Sequence, residues 1–208
     1  MLAVGDPEGS ATQATFKVPK TASQLERAEG APIGTRGGIS AEHASAADGD
    51  YVFSMDFYAE PLGLLYGSTA PDEKIEVSVD GSRVAIFDID PRMSEEKTGL
   101  TVKSIPIHVR AGTHRVTAAF IQRFDGLIND LIAPIEHTMA DTEIGTAFGI
   151  TTLPHLRSLS IVGPHKVTGV SDTPSRRMIF TCRPTSLAEE TLCASTIVRQ
   201  LATQAFRR

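Results

Sequence analysis

The chain has 208 residues, 41% hydrophobic and 22% charged, with a formal net charge of −5. That is ordinary globular composition at a length that affords one large or two small domains without staples. The acidic balance excludes a general nucleic-acid binder, which needs a basic face, and no apolar run approaches the 18 residues of a membrane span.

Residues 1–50 are poor in periodicity and rich in Gly, Ala, Ser and Glu. They read as an irregular N-terminal segment that wraps over something, with at most a short strand at its end. The start, "MLAVGDPEGS", lacks the charged leader and apolar core of a signal peptide.

From Tyr51 the pattern becomes that of short strands. "YVFSMDF" places Tyr51, Phe53, Met55 and Phe57 on one face. "KIEVSVDGSRVAIFDID" alternates at Ile75, Val77 and Val79, turns at Asp80-Gly81, and resumes with Val84 and Ile86. Asp-Gly between alternating runs is a hairpin signal. "KSIPIHVRAGTHRVTAAFI" alternates at Ile105, Ile107 and Val109, turns at Ala111-Gly112, and continues with His114, Val116, Ala118 and Phe120. "HLRSLSIVG" is a further strand with Leu156–Ile161 as its body. Residues 51–168 therefore read as one antiparallel β-sandwich, jelly-roll-like, so the fold class is mainly β. Residues 122–155 interrupt it as an insertion loop, with a short helix expected near Gly126–Ile132.

Residues 169–208 form a linker and a helix. "SDTPSRR" contains turn-capping Ser171, Asp172 and Thr173, with Pro174 stiffening the turn. At this spacing Asp172 and Arg176 are expected to pair and clamp the joint. An anion site built from Arg176 and Arg177 is the rival reading. Ser186 and Glu189 have the spacing of a capping box. Leu192, Ala194, Ile197, Val198, Leu201, Ala205 and Phe206 then recur at three and four residues, which predicts an amphipathic helix over Leu187–Arg208. Its stripe has only the sheet to bury against, or a domain outside this chain.

The two cysteines, Cys182 and Cys193, form no CxxC or CxxCH. A strand end folding beside its own following helix brings them within bonding reach, so a structural disulfide is the favoured reading. Two free buried thiols, or a redox pair, are the alternatives. A disulfide implies an oxidising compartment.

The six histidines (His43, His108, His114, His137, His155 and His165) contain no HxH or HxxxH. His108 and His114 flank one turn and would give a two-ligand metal seat if they faced each other. Half-exposed strand histidines are the commoner arrangement. Asp88 and Asp90 share a strand face, where paired oxygens hold calcium in some sites, but a solvated edge is the favoured reading. Asp48-Gly-Asp50 is a second carboxylate pair. No phosphate loop, dinucleotide fingerprint or Gly-x-Ser-x-Gly occurs, so no catalytic residue is assigned.

Five stretches in order, "GAPIGTRGGISAEHASAADGDYVFSM", "IEVSVDGSRV", "VRAGTHRVTAAF", "LSIVGPHKVTGVSDTPSRRMIFTCRP" and "EETLCASTIVRQLATQAFRR", resemble the large cytochrome-c-associated proteins of planctomycetes and acidobacteria. The resemblance runs from about residue 18 to the end. It implies a β-module followed by the first helix of a helical domain, inside a periplasmic or otherwise extracytoplasmic parent that carries haem c elsewhere. "VSVDG", "RAGTHRVTAAF" and "LRSLSIVG" are also similar to calcium-dependent xylan-binding modules. That likeness implies a non-catalytic carbohydrate-binding module with a polysaccharide partner. The alternative it leaves is a domain of a c-type-cytochrome-linked oxidoreductase, acting in electron transfer or polysaccharide breakdown. In the xylan-binding modules the strand ending in Phe leads into an Asn-Asp pair that helps hold calcium. Here Phe120 is followed by Ile121-Gln122-Arg123, and a cation at Arg123 argues against calcium. His43-Ala-Ser-Ala likewise departs from the family's His-x-Phe-Pro. The chain itself is expected to carry no cofactor. Its lack of Trp, with only Tyr51, Tyr58 and Tyr66, counts against an aromatic sugar platform.

Overall fold

The structure is a computed structural model that describes residues 4–67, 72–123, 143–144, 147–148 and 153–206. Among the described residues, eleven strands and two helices follow in the order β1 (Thr12–Lys17), β2 (Thr35–Ser45), β3 (Asp48–Phe57), β4 (Lys74–Val79), β5 (Ser82–Asp88), β6 (Thr101–Lys103), β7 (Ile107–Val109), β8 (Gly112–Ile121), β9 (Glu143–Ile144), β10 (Ala147–Phe148), β11 (Leu156–Gly169), α1 (Pro174–Ile179) and α2 (Leu187–Phe206). The front sheet has the order β1-β11-β3-β6, with β7 also paired to β3, and the back sheet has the order β2-β8-β4-β5. The pairings are antiparallel. The chain repeatedly crosses between sheets, at β1–β2, β2–β3, β3–β4, β5–β6 and β7–β8, which makes the sandwich jelly-roll-like. β9 and β10 pair with each other.

The core lies between the sheets. Tyr51, Phe53, Met55 and Phe57 of β3 pack with Leu159 and Ile161 of β11 against Ile75, Val77, Val116, Ala118 and Phe120 of the back sheet. Period-two alternation puts each of these runs on one strand face. Asp80 and Gly81 turn β4 into β5 with φ of 50° and 79°, the positive values that a two-residue Asp-Gly hairpin requires. Gly38 is needed for another reason. A Cβ there would lie 2.0 Å from Ala118 O, where β2 is bulged against β8.

Several sequence expectations change. The segment read as irregular holds two strands, β1 and the eleven-residue β2. The β11 strand runs on to Gly169 through the register shifts after Val162. Ile86 is 47% exposed, because Phe87 pairs with Ile75 and so takes the inward face. Ile105 is 80% exposed, because it lies between β6 and β7 beside Pro106, where the strand is interrupted. The Ala111-Gly112 turn does not close a hairpin. It carries the chain from β7 in the front sheet to β8 in the back sheet. The helix expected at Gly126–Ile132 lies outside the described residues.

Candidate functional site

The outward face of the front sheet is built from cross-strand rows, since directly paired residues of adjacent strands share a face. One row reads Lys17–Ser158–Asp56–Thr101, and the next Thr15–Ser160–Ser54–Lys103. Beyond them lie Gln13, Val162 and Val52, and then His165, Asp50 and His108. The side chains bond along the rows. Thr101 and Ser158 donate to the two oxygens of Asp56 at 2.6 and 2.9 Å, and the hydroxyls of Thr15 and Ser160 lie 2.9 Å apart. Asp56 thus sits among hydroxyls, with its acceptors aligned across three strands. Farther along, Asp50 has His108 Nδ1 at 3.8 Å and Lys166 Nζ at 4.0 Å.

The rows open at one end into a cleft of about 900 Å³. Lys17, Lys20, Tyr58, Tyr66, Glu60, Glu95 and Arg157 line it. Tyr58 OH donates to Val18 O at 2.9 Å, which holds the ring against the cleft, and Lys20 Nζ is 5.9 Å from the ring centroid. Two of the three tyrosines therefore line this cleft, while Tyr51 is a core residue donating to Ala47 O at 2.9 Å.

At the opposite end, Asp48 ties three connections together. Its Oδ1 accepts from Ala111 N at 2.5 Å and its Oδ2 from Ser171 Oγ at 3.0 Å, while its carbonyl accepts from Thr168 Oγ1 at 3.3 Å. Burial pushes the Asp48 carboxyl up, but the hydrogen bonds from Ala111 and Ser171 together hold it below its ordinary range. Asp48 stood in the sequence only as half of Asp48-Gly-Asp50. Its position just before the alternating run at Tyr51 was the available signal.

The joint differs from expectation in its pairing. Asp172 does not take Arg176. It pairs with Arg177 Nε at 3.2 Å and Arg183 Nη2 at 3.3 Å. The reason is α1. Thr173 caps it by accepting from Arg176 N, and the helical turn carries the Arg176 side chain away, to donate to Val4 O and stack 5.0 Å over Phe180. The second cap is also displaced by one residue. Glu189 Oε2 accepts from Thr185 N at 3.0 Å and Thr185 Oγ1 at 3.1 Å, rather than reaching Ser186 N. Cys182 and Cys193 are joined by a disulfide with Cα atoms 5.8 Å apart. Along α2, Leu187, Leu192, Val198, Leu201 and Phe206 are exposed and Cys193 is the buried residue.

The paired-histidine seat does not form. His108 lies in the front sheet beside Asp50, and His114 in the back sheet. There His114 Nδ1 lies 2.7 Å from Asp80 and its Nε2 lies 2.8 Å from Arg110 O. Its cross-strand partner is His43, whose ring meets Phe16 and Tyr51 edge-on. Asp88 pairs with Lys74 at 2.7 Å, and Asp90 closes a turn by accepting from Arg92 N. Among the described residues, no group of three or more His, Cys, Asp or Glu is placed to hold a metal ion, and no described helix is long and apolar enough to cross a membrane.

No protein-family model matches the chain, and no curated protein matches it. Among solved structures it is similar to a family 35 carbohydrate binding module from Clostridium thermocellum, with 15% identity over 74% of this chain and 98% of that one and a TM-score of 0.33. It is also similar to CBM35 from Cellvibrio japonicus Abf62, with 12% identity over 77% and 99% and a TM-score of 0.38. A further similarity is to dimeric latent PorU from Porphyromonas gingivalis, with 10% identity over 79% of this chain and 14% of that one and a TM-score of 0.31. With scores this low, the assignment to an antiparallel β-sandwich rests on the strand pairings above.

Proposed function

We propose that this chain is a non-catalytic carbohydrate-binding module that takes a polysaccharide on the outward face of its front sheet. The observation that carries the reading is the pair of cross-strand rows Lys17–Ser158–Asp56–Thr101 and Thr15–Ser160–Ser54–Lys103, running into the cleft beside Tyr58. Hydroxyls both donate and accept, carboxylates accept and ammonium groups donate. A sugar ring presents the same mixture, so such a row satisfies it from every side. Neighbouring strands lie about 4.8 Å apart, so a four-strand row spans roughly 14 Å, room for a short run of sugar units. Half-buried Tyr58 supplies aromatic surface at the mouth, while Tyr66 behind it is buried edge-on against His155.

The wider reading rests on the sequence resemblance. The module belongs to a larger extracytoplasmic protein associated with a c-type cytochrome, and α2 opens a helical domain of that parent. The disulfide suits an oxidising compartment, and the exposed stripe of α2 suits a further helix. Redox chemistry would then reside in the parent and not in this module. The test is affinity electrophoresis of the 208-residue protein in gels containing xylan or other soluble plant and bacterial polysaccharides. Retardation in at least one gel, abolished by Tyr58→Ala together with Lys17→Ala, is the expected result. Unretarded migration in every gel would overturn the reading.

A further inference from the structure

We propose that α2 is an arm locked in place by oxidation: the Cys182–Cys193 bond, rather than packing, holds the helix to the joint. The proposal stands apart from the carbohydrate reading. Of α2's described residues only Cys193 is buried, while Leu187 is 83%, Leu192 74% and Val198 65% exposed. An amphipathic helix in a globular protein takes most of its stability from packing its apolar face, and α2 packs little of it. The middle of α2 also carries Thr191, Thr196, Ile197 and Val198, β-branched residues that lose side-chain freedom in a helix. Something else must fix it. Glu189 clasps Thr185 at the first turn. The remaining link runs from the end of β11 through Asp172 to Arg183, and from the adjacent Cys182 across the sulfur bridge to Cys193.

The bridge is reachable. Cys182 is half-buried, and the groove beside it has a volume of about 340 Å³ between Val170, Asp172, Arg176, Phe180, Arg183 and Pro184. A dithiol reductant attacks as its thiolate, forms a mixed disulfide with one cysteine, and releases the other as a thiolate that takes a proton. Its second thiol resolves the intermediate. Two electrons and two protons pass to the cysteines, and the reductant leaves as a disulfide. Oxidation by a disulfide-bearing donor runs the same steps in reverse. Neither cysteine belongs to the sandwich core, so the change stays local. The reduced chain keeps its β-sandwich and carries a loose arm. The oxidised chain presents α2, with its apolar stripe, in one orientation.

Hydrogen exchange of the full chain, read by mass spectrometry with and without dithiothreitol, tests this. On reduction, peptides within Leu187–Phe206 should exchange about tenfold faster or more, while peptides from β3 and β8 keep their protection. A Cys182→Ser/Cys193→Ser double variant without reductant should match the reduced protein. Unchanged exchange in α2 on reduction, protection of α2 in the double variant, or loss of protection in β3 and β8 together with α2 would each overturn the proposal.

Discussion

Ser171 donates its hydroxyl to Asp48 at 3.0 Å, joining the end of the long strand β11 to the first residue of β3. The other oxygen of the same carboxylate takes the N–H of buried Ala111, at the crossing from front to back sheet. Asp48→Ala should therefore cost about 1–3 kcal/mol, since it leaves a buried amide without its acceptor. The Asp48 carboxyl is held below its ordinary value of 3.8 in the folded protein. Its contribution is thus fully present above that value and is lost as pH falls through the lowered folded value. Urea melts of both proteins at pH 7 and below pH 3 check this. The gap between them should narrow on the acid side.

His43 has the opposite chemistry and the same direction of pH dependence. Burial first, and the neighbouring His114 second, lower its pKa from 6.5. The folded state prefers the neutral ring, so stability is complete above about pH 6.5 and declines as pH falls through the lowered folded value. Across the strand pair His114 faces Asp80. His43→Phe, which keeps an aromatic ring against Phe16 and Tyr51, should flatten the dependence of melting temperature on pH between 6.5 and 5. An unchanged slope would show that another group sets it.

Arg36 and Glu73 form an ion pair with side chains only 5% and 7% exposed. The Arg36 guanidinium also donates to Gln24 O and stacks 5.0 Å over Phe120. Removing one partner strands a buried charge, so Glu73→Gln should destabilise by about 3 kcal/mol. Chemical denaturation at neutral pH measures it directly. Replacing both partners with apolar residues should cost less than the single change.

Calcium is expected not to stabilise this chain: in the sequence resemblance, Arg123 falls where the xylan-binding modules offer an Asn-Asp pair. A bound ion would raise the melting temperature by mass action. Melting curves in millimolar calcium and in chelator should agree to within about 2 °C; a larger rise in calcium would show a site among other residues.

What was legible in the sequence was what period two writes plainly. The run Tyr51–Phe57, the Asp80-Gly81 hairpin and the inward face of β8 follow from alternation and turn chemistry alone. β2 was hidden because its glycines, Gly37 and Gly38, sit at a bulge and dilute the apolar signal. Ile86 misled because a register shift between Val77 and Ser78 reverses which residue of β5 meets the core. The disulfide could be argued from chain geometry, but the partner of Asp172 could not. A six-residue helix between Thr173 and Phe180 decides it, and Pro174 reads equally well as turn or helix start. The outward rows were least visible. Thr15, Ser54, Ser160 and Lys103 come from four strands far apart in the chain, and only register brings them together.

Under the proposed function, those rows bind the ligand. An amide NMR titration of the isotopically labelled protein with the polysaccharide fragment that retards it in gels tests this most directly. Shift changes are expected at Thr15, Lys17, Ser54, Asp56, Tyr58, Lys103 and Ser160, with the back sheet and α2 unmoved. Changes confined to the back sheet or to the joint around Asp172, with the front face silent, would contradict it.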